Sequence, residues 1–339
     1  LTLQVTSLMS LLDIKNLTLE IDSQSGWIKA LDKINLVINE GQIHALVGES
    51  GSGKSIIVKA IVGAISDRWR ITADRMTWRG QDLLTMSVRE RRKIIRSDIS
   101  VIFQNPKSSL DPIVTLGDQL KEVILATRLE KGMFWNRAKR RKKYASELLH
   151  RVGIKDHEVY MRSLPHQIPN DICQKFMIAM ALASQPKLII ADDPTRGMEI
   201  TDKSQILKLL SRVNQVRKMS ILFVSHDLLA ISSMADHMTV LYCGQTVESG
   251  RMSQLRKRAL HPYTKALLES APSFRSDLPP KSPLPSLGGT IPTFQHLPIG
   301  CRLGPRCPRA RRECVKVPEV RRIHEHTYSC HFPLHRDKK

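Results

Sequence analysis

Eight consecutive residues have the composition and spacing of a phosphate-binding loop. Residues 48–55 read GESGSGKS, lying between an apolar stretch, 43–47, and a helix-like segment, 56–61. Glycines let such a loop turn tightly and direct its N–H groups at phosphate oxygens, while the following helix presents its positive end to the same anion. The pattern predicts a nucleotide site in which Lys54 reaches the β- and γ-phosphates and Ser55 binds Mg²⁺. Its candidate nucleotide-binding residues are Gly48, Glu49, Ser50, Gly51, Ser52, Gly53, Lys54 and Ser55.

Two later segments end in side chains that nucleotide chemistry uses. Residues 187–191 form an apolar run typical of a buried parallel strand, and Asp192 and Asp193 follow it. Residues 220–224 form a second such run, which leads to His226. In open α/β sheets, ligands bind at the carboxyl ends of the strands. We therefore expect Asp192 to support Mg²⁺ and His226 to be functional.

With these motifs in place, the chain resembles the ATP-binding subunits of ABC transporters, and more narrowly their dipeptide and oligopeptide group. Residues 101–106, VIFQNP, resemble the Q-loop of the family, and residues 261–264, HPYT, resemble the block that opens the tail of the peptide transporters. The resemblance implies that Gln104 touches Mg²⁺ and the attacking water and senses the membrane subunit. It also implies that Asp193 acts as the base for that water and that His226 contacts the γ-phosphate.

The signature segment departs from the family pattern. In the family, Leu-Ser-Gly-Gly and a polar residue bind the γ-phosphate of the ATP held by the opposite subunit. Here Ile168, Pro169, Asn170 and Asp171 occupy that place. Proline has neither an N–H nor a hydroxyl to donate, and an aspartate adds negative charge near a phosphate. We predict a degenerate signature that clamps ATP poorly.

Asp193 is a second departure, because the family normally carries glutamate at this position. Aspartate is one methylene shorter, and a general base must lie within about 2.6–3.2 Å of the proton that it takes, directly or through one water. Either hydrolysis is slow, or an adjustment of the backbone restores the reach of the carboxylate. Both interpretations stay open.

The family resemblance also implies partners. Two ATPase subunits dimerise head to tail, so a homodimer of this chain would pair both phosphate loops with a degenerate signature. We expect a heterodimer with a second ABC ATPase that has an intact signature, bound to two membrane permeases and served indirectly by a solute-binding protein. The chain would then be peripheral, at the cytoplasmic face of a bacterial inner membrane.

Several functions fit this architecture. The main prediction is an ATPase that energises transport of peptides, antimicrobial peptides among them, or of small cationic solutes such as polyamines. One alternative is a regulatory ATP-binding module that gates a membrane protein with little turnover. The other is a non-transport ABC ATPase, although such proteins generally show a coiled-coil insertion or a second cassette and this chain shows neither.

The net charge of +21 raises the question of a nucleic-acid partner. The basic residues are spread over several segments, and only 5% of the residues are aromatic. No aromatic-rich strand pair offers a stacking platform, so no nucleic acid is expected. The basic segment 137–149 is either a solvated helix face or a surface attracted to anionic lipid. No apolar run reaches the 18 residues of a membrane span.

We predict an α/β fold: a P-loop ABC ATPase core with an antiparallel edge sheet, a helical subdomain and a small cysteine-bearing tail. Residues 11–260 would form the nucleotide-binding domain, with the helical subdomain at about 110–180. Residues 261–339 would form the C-terminal region, and residues 1–10 a disordered or start-site extension.

Four of the six cysteines lie in the tail with the spacing C-x5-C-x6-C-x15-C. Disulfides are rare in cytosolic chains, whereas four thiolates suit either tetrahedral Zn²⁺ or an iron–sulfur cluster. Some peptide-transporter ATPases that the tail resembles carry [4Fe-4S], which favours the cluster; four reduced surface thiols are the remaining alternative. Because the phosphate loop is far away in sequence and uses no thiol, we expect ATP binding to survive loss of such a centre. The four cysteines are Cys301, Cys307, Cys314 and Cys330.

Overall fold

The computed structural model describes residues 10–24, 26–124, 137–270 and 287–335. It divides into two compact units, one made of Leu1–Met86 with Val224–Lys339 and the other of Ser87–Phe223. The predicted N-terminal extension, 1–10, lies outside the described residues apart from Ser10, which begins the first strand.

The secondary structure alternates strands and helices along most of the chain. The strands are β1 (Ser10–Ser23), β2 (Gly26–Asn39), β3 (Ile43–Val47), β4 (Trp69–Thr72), β5 (Arg75–Trp78), β6 (Gln81–Asp82), β7 (Ile99–Ile102), β8 (Leu188–Asp192), β9 (Ser220–Val224), β10 (His237–Tyr242), β11 (Gln245–Arg251), β12 (Val320–Ile323) and β13 (His326–Ser329). The helices are α1 (Lys54–Val62), α2 (Val88–Asp98), α3 (Pro106–Ser109), α4 (Leu116–Val123), α5 (Arg137–Arg151), α6 (His157–Arg162), α7 (Asn170–Ala183), α8 (Ile200–Arg217), α9 (Leu228–Met234), α10 (Met252–Arg258) and α11 (Pro262–Glu269).

An antiparallel sheet opens the first unit. Its strand order is β2-β1-β5-β6, and β4 also pairs with β1. Apolar residues line the buried face of β1, with Leu12 and Ile14 both almost fully enclosed. Side chains of a strand alternate between its two faces, so this spacing buries one face of the sheet. The sheet is the antiparallel edge sheet that the sequence predicts.

The second sheet of this unit leads to the phosphate loop and also contains the tail. Strand β10 pairs in parallel with β3, with Val240 opposite Val47, and antiparallel with β11. The tail strand β13 pairs with β11, and β12 pairs with β13. Residues of the C-terminal region therefore extend the sheet that carries the phosphate loop.

A buried carboxylate joins the tail to this sheet. Glu248 of β11 is fully buried. Its oxygens accept hydrogen bonds from the N–H groups of Leu260, at 2.6 Å, and His261, at 3.0 Å. They also contact Nε2 of His326, on β13, at 2.7 Å. A buried carboxylate is costly unless such donors surround it, so Glu248 links three segments of the chain.

The second unit contains a parallel strand pair and most of the helices. Strand β7 pairs in parallel with β8, with Ile102 opposite Ala191. Helices α4, α5, α6 and α7 pack on one another. Helix α7 buries most of its side chains, and it extends the helical segment slightly beyond the predicted limit, to Ala183. Among the described residues, no helix is long and apolar enough to cross a membrane.

Candidate nucleotide site

The phosphate loop begins where the fully buried strand β3 ends. Gly51 and Gly53 have φ angles of 79° and 104°, in the left-handed region that favours glycine. A Cβ at Gly53 would lie 2.5 Å from Cδ2 of Leu31, so a side chain there would also collide with the first sheet. The positive φ angles at both positions, and the close contact at Gly53, explain why the motif has glycine there.

Close packing holds the other end of the loop. A Cβ at Gly48 would lie 2.3 Å from the carbonyl oxygen of Leu241. The N–H of Gly244, in the turn between β10 and β11, donates to the carbonyl oxygen of Ser52 at 2.9 Å. The loop is therefore fixed against this turn.

Lys54 lies over its own loop. Its Nζ donates to the carbonyl oxygens of Gly48, at 2.7 Å, and Glu49, at 2.8 Å, and to Oγ of Ser52 at 3.2 Å. Ser55 is exposed in the first turn of α1, which has no acidic residue in that turn. A helix start without a carboxylate keeps its positive end available to an anion. The loop, Lys54 and α1 thus have the arrangement of a phosphate site.

Glu49 of the loop has partners that sequence analysis missed. Its N–H donates to the hydroxyl of Tyr263, on α11, at 2.9 Å. Its carboxylate accepts from Nη1 and Nη2 of Arg306 at 2.8 and 3.2 Å, a two-point ion pair. Nη1 of Arg306 also donates to the hydroxyl of Tyr242 at 3.2 Å. Tyr263 lies in the family-like HPYT block and Arg306 lies beside Cys307 of the tail, but neither pattern indicates a contact with Glu49.

The environment fixes the charge state of these partners. Burial raises the pKa of Tyr263, so its hydroxyl stays protonated. The hydrogen-bonded carboxylate of Glu49 raises the pKa of Arg306. The guanidinium is therefore a permanent positive charge beside the phosphate loop.

His226 lies in the first unit, after β9. The N–H of the preceding residue, Ser225, donates to the carbonyl oxygen of Leu46, on β3, at 3.3 Å. His226 itself is exposed, and Asp227 caps α9 by accepting from the N–H groups of Leu229 and Ala230. The structure thus places His226 beside the strand that leads to the phosphate loop.

Gln104 and the two aspartates lie in the second unit. Because β7 and β8 are parallel neighbours, Gln104 and Asp192 follow strand ends at the same edge. Asp193 is 9% exposed and has a φ of 45°. Aspartate is among the few non-glycine residues that adopt this left-handed region readily. The chain therefore turns sharply at the predicted base.

Gln174 is a further residue that sequence analysis missed. It is buried on α7, and its Nε2 donates to the carbonyl oxygens of Phe103 at 3.4 Å and Pro194 at 3.1 Å. These carbonyls adjoin Gln104 and Asp193. The Gln174 amide thus joins α7 to the segment that carries Gln104 and to the segment that follows Asp193.

The segment in the signature position leads into the start of α7. Ile168 is buried, Pro169 is the N-cap of α7 and Asn170 is its first residue. No side-chain hydrogen bond caps the helix, and Asp171 is half-buried in its first turn. A carboxylate there is favourable for the helix but adds negative charge where the family binds a γ-phosphate.

The four cysteines of the tail line one cavity, together with residues that include Pro262 and Leu303. The N–H of Cys301 donates to the carbonyl oxygen of Cys314 at 2.9 Å. Burial raises the pKa of the Cys301 and Cys307 thiols, and that of Cys330 to about 11, so a metal would displace protons on binding. In the described part of the chain, no three His, Cys, Asp or Glu side chains are close enough to hold a metal ion. The four thiols thus share a cavity, but the described structure does not place them as a formed metal site.

Comparison with known proteins shows that nearly the whole chain is similar to ABC transporter ATP-binding proteins. The sequence model described as ABC transporter matches residues 31–196, and the one described as oligopeptide/dipeptide transporter, C-terminal region, matches residues 247–314. The chain is 52% identical to the peptide transport system ATP-binding protein SapD of Salmonella typhimurium, over 98% of this chain and 100% of that protein. It is 38% identical to the dipeptide transport ATP-binding protein DppD of Escherichia coli, over 96% and 98% of the two chains.

A solved structure supports the fold. A dimeric ATP-binding cassette in a post-hydrolysis state, bound to ADP and Pi, aligns with a TM-score of 0.61 at 24% identity. The alignment covers 71% of this chain and 98% of that one.

Proposed function

The chain belongs to the ATP-binding proteins of ABC transporters, and from this premise we propose that it hydrolyses ATP to energise the uptake or export of peptides. The observation that carries the proposal is a phosphate loop with Lys54 bound over it, in a chain similar to SapD along nearly its full length. The match of residues 247–314 to the oligopeptide/dipeptide C-terminal region favours peptides over polyamines.

The first unit supplies the phosphate-binding groups. Lys54 would exchange the carbonyl oxygens of Gly48 and Glu49 for phosphate oxygens, with the loop N–H groups and the start of α1 donating to the same anion. Ser55 would hold Mg²⁺, which neutralises charge on the phosphates when bound. His226 would contact the γ-phosphate. The positions of Lys54, Ser55 and His226 near the end of β3 support these roles.

The second unit supplies groups for water and metal. By the family pattern, Gln104 would contact Mg²⁺ and the attacking water, and Asp192 would support the metal. Asp193 would accept a proton of the water as its oxygen bonds to the γ-phosphorus and the bond from that phosphorus to the β–γ bridging oxygen breaks, releasing ADP and phosphate. The shared strand edge of Gln104 and Asp192 supports the assignment within this unit.

We also propose a heterodimer. Pro169, at the start of α7, offers neither hydroxyl nor N–H to a phosphate. One competent site would therefore combine the phosphate loop of this chain with the intact signature of a second ABC ATPase. Two membrane permease subunits, served indirectly by a solute-binding protein, would complete the complex, with this chain peripheral at the cytoplasmic face of the inner membrane. The boundary between the nucleotide-binding domain and the C-terminal region, at about residue 260, stays part of this proposal.

The cysteine cavity supports a further element of the proposal, a resident centre held by Cys301, Cys307, Cys314 and Cys330. The family resemblance favours [4Fe-4S], and Zn²⁺ is the alternative. Thiolate–metal bonds would stabilise a tail with little helix or strand of its own.

Uptake in cells tests the transported solute. Cells that lack the chain, supplied with wild type or with Lys54→Ala, are given a labelled peptide and, separately, a labelled polyamine. We expect wild type alone to restore peptide transport. Restoration of polyamine transport only would mean that the solute is a polyamine and not a peptide. Equal transport by the Lys54→Ala variant would contradict the ATPase role.

The regulatory alternative rests on the degenerate signature and on Asp193. Comparing ATP affinity with turnover in the assembled complex separates the two functions. Tight binding without turnover at any peptide concentration would favour a gating module.

A further inference from the structure

The tail contacts the phosphate loop directly. Arg306 and Glu49 are 257 positions apart in sequence, yet the guanidinium and the carboxylate form a two-point ion pair. The side chain of Arg306 is 7% exposed and that of Glu49 31% exposed. A guanidinium matches a carboxylate in this geometry and orients it as well as neutralising it.

A second arginine of the tail supports the turn that contacts the loop. Nη2 of Arg302 donates to Oδ2 of Asp32 at 3.1 Å, and Nη1 donates to the carbonyl oxygen of Cys243. The residue after Cys243 is Gly244, whose N–H donates to the carbonyl oxygen of Ser52 at 2.9 Å. Arg302 thus holds the turn between β10 and β11, and this turn holds the phosphate loop.

Both arginines adjoin residues of the cysteine cavity. Arg302 follows Cys301 and Arg306 precedes Cys307. The cavity is also lined by Pro262, which precedes Tyr263, the acceptor of the Glu49 N–H. The same short segments therefore shape the cavity and hold the loop.

The charge of Glu49 explains why this arrangement matters. A carboxylate on a phosphate loop lies within a Debye length, about 8 Å at physiological salt, of an anion bound by that loop. Without a counter-charge it would repel the triphosphate and lose its preferred orientation. Arg306 supplies that counter-charge.

We propose that the C-terminal region positions the phosphate loop, and that Arg306 is the positioning residue which neutralises Glu49 and keeps the loop receptive to Mg-ATP. The inference rests on the proposed function, because it takes residues 48–55 as the nucleotide site. It also changes the expectation that ATP binding is independent of the tail: separation in sequence does not mean separation in space here.

A double-mutant cycle tests the proposal on the full chain. Mg-ATP affinity is measured by calorimetry for wild type, Arg306→Gln, Glu49→Gln and the double variant. We expect Arg306→Gln to weaken binding about tenfold, because it leaves the carboxylate unpaired. In the Glu49→Gln background the same change should cost less than about twofold, because no charge is left to neutralise.

The matched control is Arg312→Gln, which removes the same charge from an exposed position of the tail and should leave the affinity within about twofold of wild type. Arg306→Lys keeps the charge but not the two-point geometry, and should fall between wild type and Arg306→Gln. Thermal melting of each variant shows whether it is folded, and Arg306→Lys keeps the cycle interpretable if Arg306→Gln does not fold.

The outcomes separate this inference from the site assignment. Wild-type affinity in Arg306→Gln, or an equal loss in both backgrounds, would overturn the positioning role. If Lys54→Ala also binds Mg-ATP like wild type, the nucleotide site itself is wrong. If Lys54→Ala loses binding while Arg306→Gln does not, the site stands and only the inference fails.

Discussion

Lys54 donates to two carbonyl oxygens of its own loop, and we expect phosphate oxygens to replace them when Mg-ATP binds. Lys54→Ala should weaken Mg-ATP binding by more than about tenfold, because it removes a charge-assisted donor from the phosphate site. Calorimetry or a fluorescent nucleotide measures the change. Lys59→Ala, at an exposed position of the same helix, is the control and should bind like wild type.

Asp193 turns the chain through a left-handed conformation, with a φ of 45°. If the reach of the base limits the rate, Asp193→Glu should raise turnover in the heterodimer several-fold with little change in ATP affinity, because the longer side chain brings the base closer to its water. Glutamate tolerates this backbone less well than aspartate, so the Tm should fall as turnover rises. Unchanged turnover would mean that Asp193 already reaches its water or that another step limits the rate.

At the scale of elements, two buried histidines make the sheet and α11 sensitive to acid. Burial lowers the pKa of His44, on β3, to about 3 and that of His261 to about 4. Nδ1 of His261 accepts from the N–H of Tyr263 at 3.2 Å, a role that requires the neutral ring.

The sign of the effect follows from linkage. Below the ordinary histidine pKa of about 6.5, the unfolded chain binds protons that the folded chain does not, so the free energy of unfolding falls as the pH falls from about 6.5 towards 3–4. Each histidine should contribute about 1.4 kcal/mol per pH unit within this window. Urea unfolding at several pH values measures this slope. His44→Gln should reduce the slope by about 1.4 kcal/mol per pH unit, because one proton fewer is taken up on unfolding. An unchanged slope in that variant would contradict the assignment.

The tail is the element whose chemistry is most open to direct test. Protein purified without oxygen should be brown, with about four iron atoms and about four acid-labile sulfides per chain, as expected for a cubane cluster. Cys301→Ser should bleach it, whereas Cys173→Ser, in the buried part of α7, should not. Colourless protein with stoichiometric zinc would keep the site and change the metal, and protein with neither would leave ordinary thiols.

The elements also show what sequence could predict. The phosphate loop is a local pattern, since its glycines, Lys54 and α1 are consecutive, and its geometry follows from neighbouring residues. The links from Glu49 to Tyr263 and Arg306 are long-range, and arginine is common in this basic chain, so no spacing marks the right one. Gln174 is equally hidden, because a buried glutamine on an apolar helix shows its role only through the carbonyls that it reaches.

At the scale of the whole molecule, the weak signature predicts dependence on a partner. The purified chain alone should hydrolyse ATP slowly and gain activity when mixed with an ABC ATPase that has an intact signature, because the clamp on the γ-phosphate is then supplied in trans. A partner whose signature serine is changed to alanine should give little gain. Full turnover by the isolated chain would contradict the heterodimer.

The pairing of β13 with β11 has a consequence for anyone who shortens the protein. A chain ending near residue 260 would retain β11 but lose its neighbour, so backbone N–H and C=O groups of β11 would become an open sheet edge. Such edges invite pairing with other molecules, and Glu248 would lose the donors from His261 and His326. A minimal cassette cut at the apparent domain boundary should therefore precipitate or form aggregates. Chains that keep the tail should stay soluble under the same conditions.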